Sequence, residues 1–251
     1  MTTAAAVPRM RVIAGPNGSG KTTILRELQA DWLGVYVNAD DIQSSLTSFG
    51  QLDLASFEIA PDEHLSERLK RFLSRSALLA KVGASESVAQ ACELNGSVLS
   101  LPPAHINSYV AAVVADFIRR ELLEAGATFT FETVMLSPDK VEFMAEAQEK
   151  GYRTYLYFVA TESPDINLDR VAQRVKEGGH HVPSDKVRER YTRSIGLLDQ
   201  ACECADRAYI FDNSSDRHFL VAEIDDDGRM VLHSGTVPNW FTSTTLWQEY
   251  H

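Results

Sequence analysis

The sequence of 251 residues predicts an α/β fold with a mainly parallel sheet of five strands and helices on both of its faces. Three observations carry this prediction. Short apolar or β-branched runs recur along the chain, and segments with helical spacing separate them. The first run leads through a glycine-rich loop into a helix. Near the C-terminus, two alternating runs flank Asp227 and Gly228, a pattern typical of a β-hairpin.

Each predicted strand is an apolar, aromatic or β-branched run bounded by turn residues. The five strands are predicted at residues 10–14, 35–38, 127–133, 152–160 and 207–213. Helical segments separate them, and two of these stop at Gly126 and Gly151, as helices commonly do at glycine. We predict one domain over residues 1–251, with a mostly helical insertion at 43–107 after the second strand and a C-terminal hairpin and tail at 216–251.

Composition limits the classes of partner. The formal net charge is −11, and such a chain repels phosphate backbones at long range, so nucleic acid is an unlikely partner. Three cysteines do not make a disulfide framework, which fits a reducing cytoplasm. The sequence starts without the pattern of a signal peptide, and its most apolar helical stretch is too short to span a bilayer. We expect a soluble, cytoplasmic protein with no membrane partner.

The loop after the first strand reads AGPNGSGKTT, and residues 15–22 match the pattern G-x-x-x-x-G-K-[ST] in full. Its glycines let several amide N–H groups face one anion, and the helix that follows adds the positive end of its dipole. Lys21 would supply charge to the β- and γ-phosphates, and the Thr22 hydroxyl would ligate Mg²⁺. We therefore predict a P-loop NTPase fold that binds ATP or GTP with Mg²⁺. The predicted nucleotide-binding residues of the loop are Gly15, Asn17, Gly18, Ser19, Gly20, Lys21, Thr22 and Thr23.

Other large classes of P-loop protein lack support in the sequence. A GTPase would carry an Asn-Lys-x-Asp segment that reads guanine, and the sequence contains none. An ABC-type ATPase would carry a Leu-Ser-Gly-Gly segment, which is also absent from the sequence. These exclusions favour a small-molecule kinase, which needs a site for a hydroxyl acceptor beside the phosphates.

Carboxylates follow two of the predicted strands, at the edge of the sheet where ligands bind in such folds. Asp40 and Asp41 follow the second strand, and we favour Asp40 as the group that orients the acceptor hydroxyl and takes its proton. The alternative role for Asp40 is to cap the helix that follows. Glu132 and Thr133 end the third strand, and we predict that they face the substrate. The alternative is a surface carboxylate at a strand end.

Residues 163–195 are predicted to form a lid that carries positive charge. The arginines in this region are Arg170, Arg174, Arg188, Arg190 and Arg193. Arginines on a mobile segment neutralise the charge of a transferring phosphoryl group, and we select Arg174 and Arg190 for this role. Gly178 and Gly179 would let the lid move. The alternative is a solvated, charged helix face.

Asn213 follows the fifth strand. Its amide group is placed to read the base of the nucleotide, and a polar turn is an equally good interpretation.

The segments AGPNGSGKTT, VNADDI, FTFETVM, RVAQRVKEGGHHVPSDKVRERY and FDNS occur in the order seen in zeta-toxin-like P-loop kinases. From residue 11 to about residue 215 the sequence resembles this family, and the lid segment is the most specific part. The resemblance implies that ATP or GTP with Mg²⁺ phosphorylates a hydroxyl, in some relatives the 3′-hydroxyl of a UDP-N-acetylhexosamine. It also implies an antitoxin protein as a partner.

The resemblance assigns roles to seven residues. It implies that Lys21 and Thr22 hold phosphates and metal, that Asp40 is the base, that Glu132 and Thr133 face the substrate, and that Arg174 and Arg190 close on the phosphates. The sequence departs from the family's pattern at two places. In the sugar-nucleotide kinases a glycine separates the glutamate from the threonine, whereas Glu132 and Thr133 are adjacent. The insertion at 43–107 is also longer than expected, and it lies on the acceptor side.

Two alternatives to this kinase stay open from the sequence. One is a nucleotide-binding switch or partner-binding module that transfers no phosphate, and the other is a nucleoside or polynucleotide end kinase. The combination of Lys21, Thr22 and Asp40 favours an enzyme over a pure binder. The aromatic residues of the tail lie outside the resemblance, and we expect them to cover the core.

Overall fold

The computed structural model describes residues 6–177 and 182–250. The described chain divides into two compact units, with the boundaries at Leu33/Gly34 and Phe131/Glu132. We call residues 34–131 the inserted unit and the remainder the loop unit. The predicted insertion at 43–107 lies within the inserted unit, which also takes in residues on both sides of it.

The described residues form ten strands. They are β1 (Arg9–Ala14), β2 (Val35–Val37), β3 (Gln51–Asp53), β4 (Glu93–Asn95), β5 (Val98–Ser100), β6 (Phe129–Thr133), β7 (Arg153–Ala160), β8 (Arg207–Asp212), β9 (Phe219–Ile224) and β10 (Met230–Leu232).

The same residues form thirteen α-helices, several of them a single turn. The first seven are α1 (Lys21–Glu27), α2 (Ala30–Leu33), α3 (Ala39–Phe49), α4 (Leu65–Ser74), α5 (Ala77–Ala80), α6 (Ser85–Ala91) and α7 (Ser108–Glu124). The others are α8 (Asp139–Glu149), α9 (Pro164–Lys176), α10 (Ser184–Ile195), α11 (Leu198–Glu203), α12 (Asn239–Thr242) and α13 (Thr245–Tyr250). No helix of the described residues is long and apolar enough to cross a membrane.

The sheet of the loop unit runs in the order β10-β9-β8-β7-β1. β1, β7 and β8 are parallel, with Ala14 opposite Phe158 and Ala160 opposite Asp212. The middle of β1 and most of β7 are buried, as expected for parallel strands covered on both faces. β9 and β10 pair antiparallel and extend the sheet beyond β8, which confirms the predicted hairpin. The carboxyl ends of the parallel strands therefore lead into the P-loop and into residues 161 and 213.

The inserted unit contains a parallel pair, β2 with β6, and a separate antiparallel sheet in the order β3-β5-β4. The sequence analysis missed the second sheet, because three-residue strands are too short to show an alternating pattern. Its inner face buries Leu52 and Leu99, whereas Gln51 and Glu93 are exposed. Asn95 and Gly96, at the β4–β5 turn, are a hairpin signal that would have located it.

The C-terminal tail covers the core of the loop unit. Trp240 and Phe241 are buried, and the Trp240 ring lies 6.4 Å from the Phe158 ring on β7. The Trp240 indole N–H donates to a carboxylate oxygen of Asp212 at 2.7 Å. The expected covering role is thus confirmed for these two residues, whereas Tyr250 is exposed.

A candidate nucleotide-binding site

The P-loop lies close against the ends of β7 and β8. Gly15 has φ +140°, and a Cβ atom there would lie 2.0 Å from the carbonyl oxygen of Val159. Gly20 has φ +97°, and a Cβ atom there would lie 2.0 Å from Nδ2 of Asn213. Any side chain would clash at either position, and both backbone conformations favour glycine. The close contacts, with the Val159 backbone at Gly15 and with the Asn213 side chain at Gly20, therefore require these two glycines of the motif.

The loop presents hydrogen-bond donors that have no acceptor in the described chain. Gly20 precedes α1 and, being glycine, offers no side chain to cap the first amides of that helix. The N–H groups of Gly18 and Gly20 make no hydrogen bond to any described residue. Unpaired backbone N–H groups next to a helix start form a typical environment for an anion. The loop has the donors that a polyphosphate needs.

The Lys21 side chain lies over this loop. Its ammonium donates to the carbonyl oxygens of Gly15 and Pro16 at 2.9 and 3.1 Å. The Thr22 side chain is exposed, and the Ser19 hydroxyl is buried without a partner among the described residues. The described residues contain no cluster of three or more His, Cys, Asp or Glu that would hold a metal ion alone. Mg²⁺ at such a loop keeps several waters and takes ligands from substrate phosphates and from one or two carboxylates, so the Thr22 hydroxyl would be one ligand among several.

Two asparagines outside the loop hold its backbone. Asn167 of α9 is fully buried, and its Nδ2 donates to the carbonyl oxygen of Asn17 at 2.6 Å. Asn213, 8% exposed, donates from Nδ2 to the carbonyl oxygen of Ser19 at 2.8 Å. The amide nitrogen expected to read a base is therefore bound to the loop instead. Sequence reasoning missed Asn167. Its only signal in the sequence is its position, since it is a polar residue one helical turn before Val171, which is buried.

The five arginines of the predicted lid have different partners. Arg190 of α10 reaches the loop, because its Nη1 donates to Oδ1 of Asn17 at 3.2 Å. Arg170 of α9 donates to the carbonyl oxygens of Asn213 and Ser215, at 2.7 and 3.2 Å. The Arg174 side chain is exposed and has no hydrogen bond or ion pair with any other described residue. Of the two arginines selected from the sequence, the structure brings Arg190 to the loop.

The other two arginines form exposed ion pairs. Arg188 pairs with Asp165 at 2.6 Å and Arg193 with Glu189 at 3.2 Å. These pairs fit the solvated-face alternative. Gly178, Gly179, His180 and His181 lie outside the described residues.

α9 and α10 pack on each other and on the P-loop. Val171, Val182 and Val187 form a buried cluster between them. The Tyr191 hydroxyl donates to the carbonyl oxygen of Thr161 at 2.6 Å, and burial raises the pKa of this hydroxyl, so it remains a donor. α10 is thereby anchored to the end of β7, and Arg190 is held beside Asn17.

Glu132 and Thr133 end β6, and both are half-buried. The Thr133 hydroxyl oxygen accepts a hydrogen bond from the Met135 N–H at 2.9 Å. Met135 is fully buried and has φ +53°, which is unusual for a residue other than glycine. The chain therefore turns sharply after the strand, and the Thr133 hydroxyl keeps its proton available for a second partner.

Asp40 and Asp41 lie in the first turn of α3, in the inserted unit. Asn38 caps this helix, since its side chain accepts from the Asp40 N–H at 2.9 Å. The alternative that Asp40 is the cap is therefore wrong, and its exposed carboxylate makes no hydrogen bond or ion pair with the other described residues. Burial raises the pKa of Asp41, and the neighbouring Asp40 carboxylate raises it further.

The family model for zeta toxin matches residues 104–224. This match confirms the resemblance to zeta-toxin-like P-loop kinases over that part of the chain. It includes Glu132, Arg190 and Asn213, and it begins after the P-loop and Asp40.

Individual proteins are also similar to parts of the chain. An uncharacterized protein of Haemophilus influenzae is 33% identical over 63 residues, which are 25% of this chain and 45% of that protein. The crystal structure of AvrRxo1-ORF1:-ORF2 with ATP is similar with a TM-score of 0.53 and 15% identity, over 91% of this chain and 61% of that one. A structure from the PezAT chromosomal toxin-antitoxin system of Streptococcus pneumoniae has a TM-score of 0.49 and 15% identity, over 95% of this chain and 78% of that one. At such identity the AvrRxo1-ORF1 likeness establishes a shared fold.

Proposed function

We propose, from the similarity to zeta-toxin-like kinases, that this protein transfers the γ-phosphoryl group of ATP or GTP to a hydroxyl of a small metabolite. The observation that carries this proposal is the P-loop itself. Its motif is complete, its Gly18 and Gly20 N–H groups have no acceptor among the described residues, and Lys21 lies over it. A loop with these features fits a nucleoside triphosphate.

The roles in phosphoryl transfer follow from the chemistry of each side chain. Lys21 and the loop N–H groups would hold the β- and γ-phosphates. Thr22 would ligate Mg²⁺, which supplies charge neutralisation on the phosphate oxygens when bound. Arg190, beside Asn17, is suited to stabilise the charge on the transferring group, and the exposed Arg174 is proposed for the same role.

Asp40 is the proposed general base. Its carboxylate is exposed in the first turn of α3 and has no partner among the described residues that would compete for it. An exposed carboxylate without a competing partner can accept the proton of an acceptor hydroxyl.

The proposed acceptor class is a UDP-N-acetylhexosamine, with Glu132 and Thr133 on the substrate. The Thr133 hydroxyl already accepts from the Met135 N–H, so it would act toward a substrate as a donor. We also propose an antitoxin protein as a partner, by analogy with the AvrRxo1-ORF1 structure, which holds a second protein.

The test is a transfer assay with γ-labelled ATP, Mg²⁺ and UDP-N-acetylglucosamine, with a metabolite extract in a parallel arm. We expect a wild-type product heavier by one phosphoryl group. Asp40→Asn should lower the transfer rate by about 10²- to 10⁴-fold while ATP still binds. Asp227→Asn, on the exposed β9–β10 turn, is the matched control and should keep full activity.

The other outcomes separate the alternatives. Transfer lost with Asp41→Asn rather than Asp40→Asn would move the base to Asp41. ATP binding with no labelled product in either arm would favour a switch or partner-binding module. Label on an oligonucleotide or nucleoside in the extract would favour an end kinase.

A further inference from the structure

We propose that Asn167 and Asn213 are positioning residues that fix the direction of two phosphate-binding N–H groups in the P-loop. This inference rests on the proposed nucleotide binding. Each asparagine donates from Nδ2 to a loop carbonyl, Asn167 to that of Asn17 and Asn213 to that of Ser19. The two residues come from different elements, α9 and the end of β8. They are 46 positions apart and hold alternate peptide units of one loop.

Because the peptide bond is planar, these two contacts also fix the direction of the Gly18 and Gly20 N–H groups. In a trans peptide, the C=O of one residue and the N–H of the next point in opposite directions. The carbonyl of Asn17 is held by Asn167, so the N–H of Gly18 points away from α9. The carbonyl of Ser19 is held by Asn213, so the N–H of Gly20 points away from β8. Neither of these two N–H groups has an acceptor in the described chain.

The asparagine side chains are themselves held in one orientation. The atoms that face them, the carbonyl oxygens of Asn17 and Ser19, can only accept, so the facing side-chain atom must be nitrogen. Oδ1 of Asn167 accepts from the Thr161 hydroxyl. The Asn213 backbone is bound on both sides, by its N–H to the Ala160 carbonyl at 2.8 Å and by its carbonyl to Arg170.

The described chain offers a matched contrast in Asn107, the cap of α7. Its Oδ1 accepts from the N–H groups of Tyr109 and Val110, at 3.0 and 3.1 Å. Aspartate serves equally well at such a cap, because only an acceptor is needed. At 167 and 213 aspartate has nearly the same shape but cannot donate, and its oxygen would face a carbonyl oxygen. The substitution therefore tests the donated hydrogen bond and leaves side-chain volume unchanged.

The experiment measures ATP·Mg²⁺ binding by calorimetry, at a temperature where every variant is folded. We expect Asn167→Asp and Asn213→Asp each to weaken ATP binding by about 10- to 100-fold, as expected when a buried acceptor is left facing a carboxylate. Asn107→Asp should bind within about twofold of wild type. Thr161→Val, which frees the Asn167 amide without adding charge, is the milder variant if an aspartate variant does not fold, and should weaken binding several-fold.

A spectroscopic readout separates positioning from general support of the fold. In ¹⁵N-labelled protein, addition of ATP·Mg²⁺ should shift the amide proton signals of Gly18 and Gly20, and these shifts should be lost or reduced in Asn167→Asp and Asn213→Asp. Variants with lower melting temperatures but unchanged ATP affinity and unchanged glycine shifts would overturn the inference. Wild type that fails to bind ATP would instead overturn the proposed function, and the inference with it.

Discussion

The asparagines that hold the P-loop in the loop unit and the asparagines that cap helices in the inserted unit make opposite kinds of hydrogen bond. In the loop unit, buried amides donate to backbone carbonyls, as Asn167 and Asn213 do at the P-loop. In the inserted unit, side-chain oxygens accept from backbone N–H groups at exposed helix starts, as Asn38 and Asn107 do. The first use fixes the shape of a binding loop, and the second stabilises one helix end at a time. Changes at the two asparagines that hold the P-loop should therefore affect ligand binding, whereas changes at the helix caps of the inserted unit should mainly affect stability.

The substitution expected to have the largest effect is Gly20→Ala. The new methyl group would meet Nδ2 of Asn213 at 2.0 Å, and the backbone there has φ +97°. Gly228→Ala is the matched control, because φ is +73° at the β9–β10 turn but the surrounding space is open. Both variants should lose about 1–2 kcal/mol from the left-handed backbone, and only Gly20→Ala should displace Asn213 and lose ATP binding by more than about 100-fold.

Urea denaturation and an ATP titration on both variants check this expectation. Equal losses of ATP affinity in Gly20→Ala and Gly228→Ala would contradict the prediction, because the contact between Gly20 and Asn213 would then have no specific role in ATP binding.

The next effect concerns the tail that supports the loop unit. Trp240→Phe keeps an aromatic ring but removes the N–H that donates to the buried Asp212 carboxylate. A hydrogen bond to a charged, buried acceptor contributes about 1.5–3 kcal/mol, so the free energy of unfolding should fall by that amount. Trp32→Phe is the control, since the Trp32 side chain is exposed, and its effect should lie within about 0.5 kcal/mol.

Denaturation curves measure both tryptophan variants, and ATP affinity supplies the second readout. Asp212 precedes Asn213, so Trp240→Phe should weaken ATP binding a few-fold in addition. Unchanged ATP affinity with the full loss of stability would limit the tail to a covering role.

The sequence predicted those parts of the site whose signals are local. Gly15, Gly20 and Lys21 belong to one loop, and the spacing within that loop is enough to locate them. The partners of that loop were harder to predict, because Asn167 contacts Asn17 across 150 positions and no local pattern distinguishes it from another polar helix residue. Asn213 was identified, but its role depends on an atom of Ser19, 194 positions away.

The same limit applies to the fold. The five predicted strands and the hairpin occur as expected, although β2 and β10 have only three residues each. β3, β4 and β5 are three residues each, and the place of β3 beside β5 depends on the pairing of Gln51 with Ser100, which no short window contains.

The smallest expected effect is in the inserted unit, where Arg68 of α4 joins Asp62 and Glu121. The guanidinium donates to Asp62 at 2.8 and 2.9 Å and to Glu121 at 2.7 and 3.1 Å. The hydrogen bonds from Arg68 lower the pKa of Asp62 to about 2. Because this pKa is below its value of about 3.8 in the unfolded chain, the Asp62 contribution to stability is present above about pH 4 and is lost as the pH falls through about 2.

Arg68→Met should therefore lower the melting temperature slightly at neutral pH, and the difference from wild type should narrow as the pH falls from about 4 to about 2. The effect should be small because solvent screens an exposed pair. Lys186→Met is the matched control in the loop unit, because it also removes an exposed ion pair, the one between Lys186 and Glu189 on α10. ATP affinity should stay unchanged in Arg68→Met, because none of the three residues of this network is a proposed nucleotide-binding residue. A loss of ATP affinity in that variant would break the division of roles between the two units, since it would show that an ion pair of the inserted unit contributes to nucleotide binding.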